Sequence, residues 1–251
     1  MKILKLLLGN PVLFAKKLRK RASRLFLLYV LRDASTVQSA EVTRLVRAEV
    51  TRWFRDRGDE NLRLDYPDLD ENSVVFDLGG YKGDFAQAIN EKYGCKVYLF
   101  EPHPEFFRIC VDRFLLNTKV VPLNYGLSDK NGVFTLSDTA DGSSFLNPNH
   151  FNAEGIECEV KEILSTLIKL GVAEIDLMKI NIEGGEYPLL SHMASQSALT
   201  MVNQYQIQFH TFIDDAESMR DEIVRALSKT HDQTWCYTFV WENWKRKSSV
   251  A

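Results

Sequence analysis

The stretch that decides the fold is residues 73–85, SVVFDLGGYKGDF. Four apolar residues between Val74 and Leu78 read as a buried strand, and Gly79-Gly80-x-x-Gly83 turns the chain into a helix predicted over 84–93. Glycines let a backbone turn sharply and approach a ligand closely, and the helix that follows offers free N–H groups at its N-terminus. In an open parallel sheet, ligands bind beyond the carboxyl ends of the strands, where the strand order reverses. The rest of the chain is therefore read for what else falls at such ends.

Residues 66–251 alternate β-rich runs with helical patterns, which predicts an α/β doubly wound, Rossmann-like sheet. Strands are expected at 73–78, 96–101, 119–127 (with Pro122 inside it), 132–138, 174–183, 201–210 and 234–243. Helices are expected at 84–93, 104–117, 185–195 and 215–229, and a loop at 139–157 is long enough to cover a substrate. Residues 1–65 read as a helical N-terminal appendage, with Val42, Leu45, Val46, Val50 and Trp53 in helical register.

Composition excludes several classes. The hydrophobic share is 45% and the charged share 26%, as in ordinary globular chains. Cys95, Cys110, Cys158 and Cys236 are scattered without a Cys-x-x-Cys pair or a nearby histidine, so neither a disulfide framework nor a metal site is expected. That pattern suits a reducing cytosol and a cytoplasmic protein. Residues 1–32 hold nine basic side chains and no acid, which leaves −12 on the remainder against −3 for the whole chain. PVLFAKKLRKRASRLFLLYVLRD has the pattern of a basic amphipathic helix, open to peripheral contact with an anionic bilayer, to packing on the body, or to a second copy in a homo-oligomer. Its apolar runs are too short to span a membrane, which takes roughly 20 residues. No basic stripe marks residues 66–251, so a nucleic-acid substrate is not expected.

Three features converge on the strand ends: Asp77 through Gly83, Glu101, and KINIEGGE at 179–186. The glycines do not match G-x-G-x-x-G, and the acid beside them disfavours a pyrophosphate. S-adenosylmethionine suits an acidic glycine turn better, being a sulfonium with an ammonium tail and no phosphate. Glu101 is then the acceptor for both ribose hydroxyls, and Asp77 reaches the ammonium through backbone or water.

The segments FDLGGYKGDFA, VYLFEPHPEFFRIC, LNYGLSDKNGVFTL, DGSSFL and IDLMKINIEGGEYPLL resemble, in order, the FkbM family of S-adenosylmethionine-dependent O-methyltransferases. The resemblance covers about residues 70–210. It implies a class I methyltransferase fold, seven strands with the last antiparallel, and methylation of hydroxyls on sugars, glycans or secondary metabolites. It implies further that Asp77, Gly79 and Gly83 surround the methionine tail, that Glu101 holds the ribose, and that Asn124 or Tyr125 lies near the adenine; Gly80 and Tyr81, in the same turn, are candidates for cofactor binding too. One departure stands out: the family pattern Lys-Ile-Asp-x-Glu-Gly has Asn181 here in place of its aspartate. An amide cannot accept a proton at neutral pH.

A general base is expected, because a sugar hydroxyl is a poor nucleophile at neutral pH. His210, ending YQIQFH, and Glu183, in the NIEGGE corner, are the candidates, with Asn181 beside them. Ser143, Ser144 and Glu186 are candidates for contact with a small-molecule or glycan acceptor. Two other functions remain in view. A methyltransferase-like fold without catalysis could serve as a binding or scaffold module, an idea that Asn181 and the basic head favour. An NAD-dependent sugar-modifying enzyme lacks both its fingerprint and a Tyr-x-x-x-Lys pair.

Overall fold

The computed structural model describes residues 40–136 and 155–248. The elements, in order, are α1 (Ala40–Arg55), α2 (Gly58–Asn61), β1 (Val74–Leu78), α3 (Asp84–Tyr93), β2 (Lys96–Phe100), α4 (Pro104–Arg113), β3 (Val120–Leu123), β4 (Gly126–Ser128) and β5 (Gly132–Leu136). There follow β6 (Ile156–Glu162), α5 (Ile163–Leu170), β7 (Ile175–Ile180), α6 (Glu186–Ser195), β8 (Val202–Ile207), α7 (Ala216–Thr230), β9 (His231–Tyr237) and β10 (Trp241–Arg246).

Seven strands form one sheet in the order β3-β2-β1-β7-β8-β10-β9. The first five run parallel, and β10 is antiparallel to both β8 and β9. Alternation along the strands separates two apolar layers, as the period of two demands. Phe76, Leu78, Tyr98 and Phe100 enter one layer with residues of α1, α5, α6 and α7. Val75, Val97 and Leu99 enter the other with α3 and α4. From β1 the chain winds outward through β2 to β3, then crosses to β7 and winds the other way to β8. The order therefore reverses at the β1/β7 junction, and the cleft of a doubly wound sheet opens there.

Pro122 lies in β3, the edge strand, where its missing N–H breaks no ladder. The strand expected over 119–127 is in fact two. β3 ends at Leu123, and β4 joins a second sheet of order β4-β6-β5. The helix expected over 104–117 stops at Arg113, with Phe114 as its C-cap. The closing strand expected over 234–243 is a hairpin that turns at residues 238–240, with Phe239 at φ +60° and the Val240 N–H donating to Tyr237 O at 2.8 Å.

Val42, Val46, Val50 and Trp53 of α1 are buried in the same layer as the sheet. The Trp53 ring meets Trp235 and Tyr237 of β9 at centroid distances of 5.9 and 5.0 Å. The aromatic face of β9 is thus covered by α1. All four cysteines are free thiols, three of them buried. Among the described residues no helix is long and apolar enough to cross a membrane.

Candidate active site

The register places three loop starts side by side. Leu78 pairs with Phe100 on one flank and with Ile180 on the other, so Gly79, Glu101 and Asn181 each follow a neighbouring strand. Gly79 has φ +75°, and a Cβ there would stand 1.9 Å from the Asn181 carbonyl. Only glycine allows both that dihedral and that approach. The N–H groups of Gly79 and Gly80 both donate to Phe100 O, at 3.0 and 3.2 Å, and the Gly83 N–H donates to Gly80 O at 2.8 Å. Gly83, at φ +81°, then starts α3.

Lys179 sits among the buried positions of β7 and is 4% exposed. Its ammonium donates to Gly79 O at 2.8 Å and Leu78 O at 3.1 Å, and forms an ion pair with Asp77 Oδ1 at 2.9 Å. Two hydrogen bonds thus pin the carbonyls of the glycine turn from beneath. The quoted KINIEGGE contained this residue without revealing the role; the available signal was a lysine within a run of buried strand positions.

Glu101, 6% exposed, clamps the turn to the end of β2. It accepts the Tyr81 N–H at 2.7 Å on one oxygen and the His103 N–H at 2.9 Å on the other. Burial pushes its carboxyl up to about 7, while those two N–H groups pull the other way. Tyr81, at φ +50°, lays its ring 4.4 Å from Phe106, which is in turn 4.5 Å from the His103 ring. His103 also caps α4 through Nδ1, accepting the Glu105 N–H at 3.2 Å. Sequence reasoning missed this aromatic cluster.

Asn124 is exposed, and its amide donates to the carbonyls of Glu101 and Pro102 at 3.0 and 3.1 Å, which ties the end of β3 to that of β2. Tyr125 is buried against Phe100, with the Lys161 ammonium 3.9 Å above its ring. Neither side chain is brought against the glycine turn by any of these contacts.

Beyond β7 the chain makes a strained corner, with Glu183 at φ +52° and Gly184 at φ +95°. Glu186 is fully buried. One of its oxygens accepts the Gly184 N–H at 2.9 Å, and the other accepts His210 N–H at 2.8 Å and lies 3.0 Å from His210 Nδ1. His210 is also fully buried, and the Tyr187 hydroxyl donates to its carbonyl at 2.6 Å. His210 Nε2 lies 3.6 Å from Glu183 Oε1, longer than a hydrogen bond, and the Glu183 side chain is 20% exposed. Glu183 and His210 are therefore brought together. Glu186, expected at the substrate, instead lies behind them. Ser143 and Ser144, most of the 139–157 loop and the basic N-terminal segment expected to be helical lie outside the described residues.

The sheet order, the antiparallel last strand β10 and the glycine turn beside a strand-end acid define a class I methyltransferase fold. The sequence matches the methyltransferase FkbM domain over residues 77–233, and the chain belongs to that family. No curated protein matches. Among solved structures, a putative rRNA methylase from Clostridium thermocellum is similar at 9% identity, over 77% of this chain and 97% of that one, with a TM-score of 0.45. An rRNA methylase from Streptococcus thermophilus is similar at 12% identity over 72% and 90%, with a TM-score of 0.43. The N-terminal domain of human METTL16 in complex with SAH is similar at 12% identity over 81% and 71%, with a TM-score of 0.39.

Family and fold imply S-adenosylmethionine as the methyl donor, and the residues present fit it. Both Asp77 carboxylate oxygens and Asn181 Oδ1 are buried acceptors at the β1/β7 junction that find no hydrogen-bond partner among the described residues, Asp77 Oδ1 being ion-paired with Lys179. Buried polar atoms are nearly always paired. A ligand bearing an ammonium group would supply donors to them.

Proposed function

We propose that the protein is an S-adenosylmethionine-dependent O-methyltransferase acting on a hydroxyl of a sugar, glycan or secondary metabolite in the cytoplasm. The observation that carries the reading is the pair of Glu183 and His210, 3.6 Å apart in the segments that follow the neighbouring strands β7 and β8. The acceptor class follows from the family resemblance.

The cofactor, when bound, supplies a methyl group already activated on a sulfonium. The chain's own residues hold and orient. Glu101 would hold the ribose hydroxyls, since its two oxygens each keep acceptor capacity beyond the single N–H they receive. Asp77 and Asn181 Oδ1 would hold the ammonium group. Glu183 takes the proton of the acceptor hydroxyl. It is the member of the pair that reaches solvent, whereas His210 has no exposed surface. Asn181, unable to take a proton, serves as a hydrogen-bond acceptor.

The test is methyl transfer from labelled S-adenosylmethionine to a panel of monosaccharides, oligosaccharides and hydroxylated aglycones. An alkali-stable methyl ether is the expected product. Glu183→Gln is expected to lower kcat by roughly 10²–10⁴-fold and to leave S-adenosylhomocysteine binding intact. Methylation confined to nitrogen or carboxylate acceptors, or a fully active Glu183→Gln, would refute the reading.

A further inference from the structure

Glu186 has no exposed surface and cannot touch an acceptor, yet it is an ionisable group placed where charge is hard to keep. If its only task were to tie the corner after β7 to the end of β8, two backbone N–H groups would suffice, and it has them in Gly184 and His210. The third contact, 3.0 Å to His210 Nδ1, falls on the same oxygen that takes the His210 N–H. An ionised carboxylate only accepts, so the ring nitrogen facing it must carry the proton. That leaves the lone pair of the neutral ring on Nε2, the nitrogen 3.6 Å from Glu183 Oε1. The Tyr187 hydroxyl on the His210 carbonyl and the Phe212 ring, 5.6 Å from the imidazole, hold the residue from its other sides.

We propose that Glu186 is a positioning residue that sets the His210 tautomer, making Nε2 the second proton acceptor behind Glu183. This deepens the O-methyltransferase reading and rests on it. The O–H bond of the acceptor would break and its electron pair stay on oxygen to form the new O–C bond, while the S–CH3 bond of the donor would break with its electron pair leaving on sulfur. The proton bonds first to the Glu183 carboxylate and then passes from Oε1 to Nε2. The resulting imidazolium stands between two carboxylates, and it returns its proton to solvent through Glu183. Contacts of this kind are often long before substrate binds and shorten with it, as the 3.6 Å gap must.

The full chain labelled with ¹⁵N-histidine tests this without any acceptor. Long-range ¹H–¹⁵N spectra, with the His210 signals assigned by His210→Asn, report which ring nitrogen is protonated. Wild type is expected to show Nδ1–H with a bare Nε2 at neutral to mildly alkaline pH. Glu186→Ala, which removes the acceptor facing Nδ1, is expected to lose the Nδ1–H preference and populate Nε2–H, and Glu183→Gln to leave the proton on Nδ1. A wild-type ring protonated on Nε2 throughout that range overturns the proposal, and so does a Glu186→Ala ring unchanged from wild type. If Glu186→Ala does not fold, the wild-type tautomer alone decides. S-adenosylhomocysteine titration of the same samples reads the cofactor site separately, so a failed relay is distinguishable from a failed methyltransferase reading.

Discussion

Replacing Lys179 by methionine removes one charge from a pair that has almost no access to water. Lys179 is 4% exposed and Asp77 not at all, and their charged atoms are 2.9 Å apart. The variant keeps a side chain of similar length, so packing changes little. It leaves the Asp77 carboxylate without its counter-ion and takes from Gly79 O the 2.8 Å donor that pins the turn. Leu78 O suffers less, since it still accepts the Asn181 N–H at 3.1 Å. Breaking one side of a buried pair typically costs about 3–5 kcal/mol. In a domain of this size that corresponds to a fall in Tm of roughly 6–20 °C. Urea unfolding followed by far-UV circular dichroism measures the loss. The double variant Asp77→Asn/Lys179→Met removes the orphaned charge and should recover about 2 kcal/mol of it, a coupling within the usual range for contacting residues. A loss below about 1 kcal/mol, or a double variant no more stable than Lys179→Met, would refute the claim that the pair supports the turn.

Three further outcomes follow from the same geometry. Gly79→Ala should abolish S-adenosylhomocysteine binding in calorimetry, because its Cβ would stand 1.9 Å from Asn181 O at φ +75°; unchanged affinity would mean the turn is not built as described. Glu101 has its carboxyl raised to about 7 against an ordinary value of 4.5. The folded state therefore holds a proton that the unfolded state has lost, and stability should fall as pH rises through that window, by roughly 3 kcal/mol in all. Unfolding midpoints from pH 5 to 8 should show the fall in wild type and a flatter profile in Glu101→Gln. Trp53→Ala should cost about 3–5 kcal/mol, as a fully buried aromatic in the main layer; a loss within about 0.5 kcal/mol would mean that α1 packs on the sheet only loosely.

Where local pattern and tertiary role agree, the fold was legible in the sequence. β1, α3 and β2 were read almost to the residue, since an apolar run, a glycine turn and an amphipathic segment bounded by Gly83 and Gly94 each carry their own signal. β6 and α5 were not anticipated. IECEVKE interleaves charges with its buried positions, and α5 has only eight residues, beginning where the strand stops. The hairpin of β9 and β10 was read as one strand because its turn, Thr238-Phe239-Val240, has no glycine, proline, asparagine or aspartate to announce it.

In the site, residue types at strand ends were legible and their partners were not. Glu101 was found by its position after β2, yet nothing local says that its oxygens hold Tyr81 and His103 N–H groups. Glu186 looks in sequence like any acid in the first turn of a helix. Only the arrival of β8 brings His210, 24 residues later, against its carboxylate. Lys179 belongs to the same kind: its meaning depends on Asp77, 102 residues earlier in the chain.

The central claim is that the cleft at the β1/β7 junction takes a methyl-donor cofactor, and calorimetric titration with S-adenosylhomocysteine tests it most directly, run on wild type and Glu101→Ala with NAD as the comparison ligand. The account predicts saturable one-to-one binding of S-adenosylhomocysteine by wild type, its loss in Glu101→Ala, and no heat from NAD. Absence of S-adenosylhomocysteine binding, or an affinity that ignores Glu101, would contradict it.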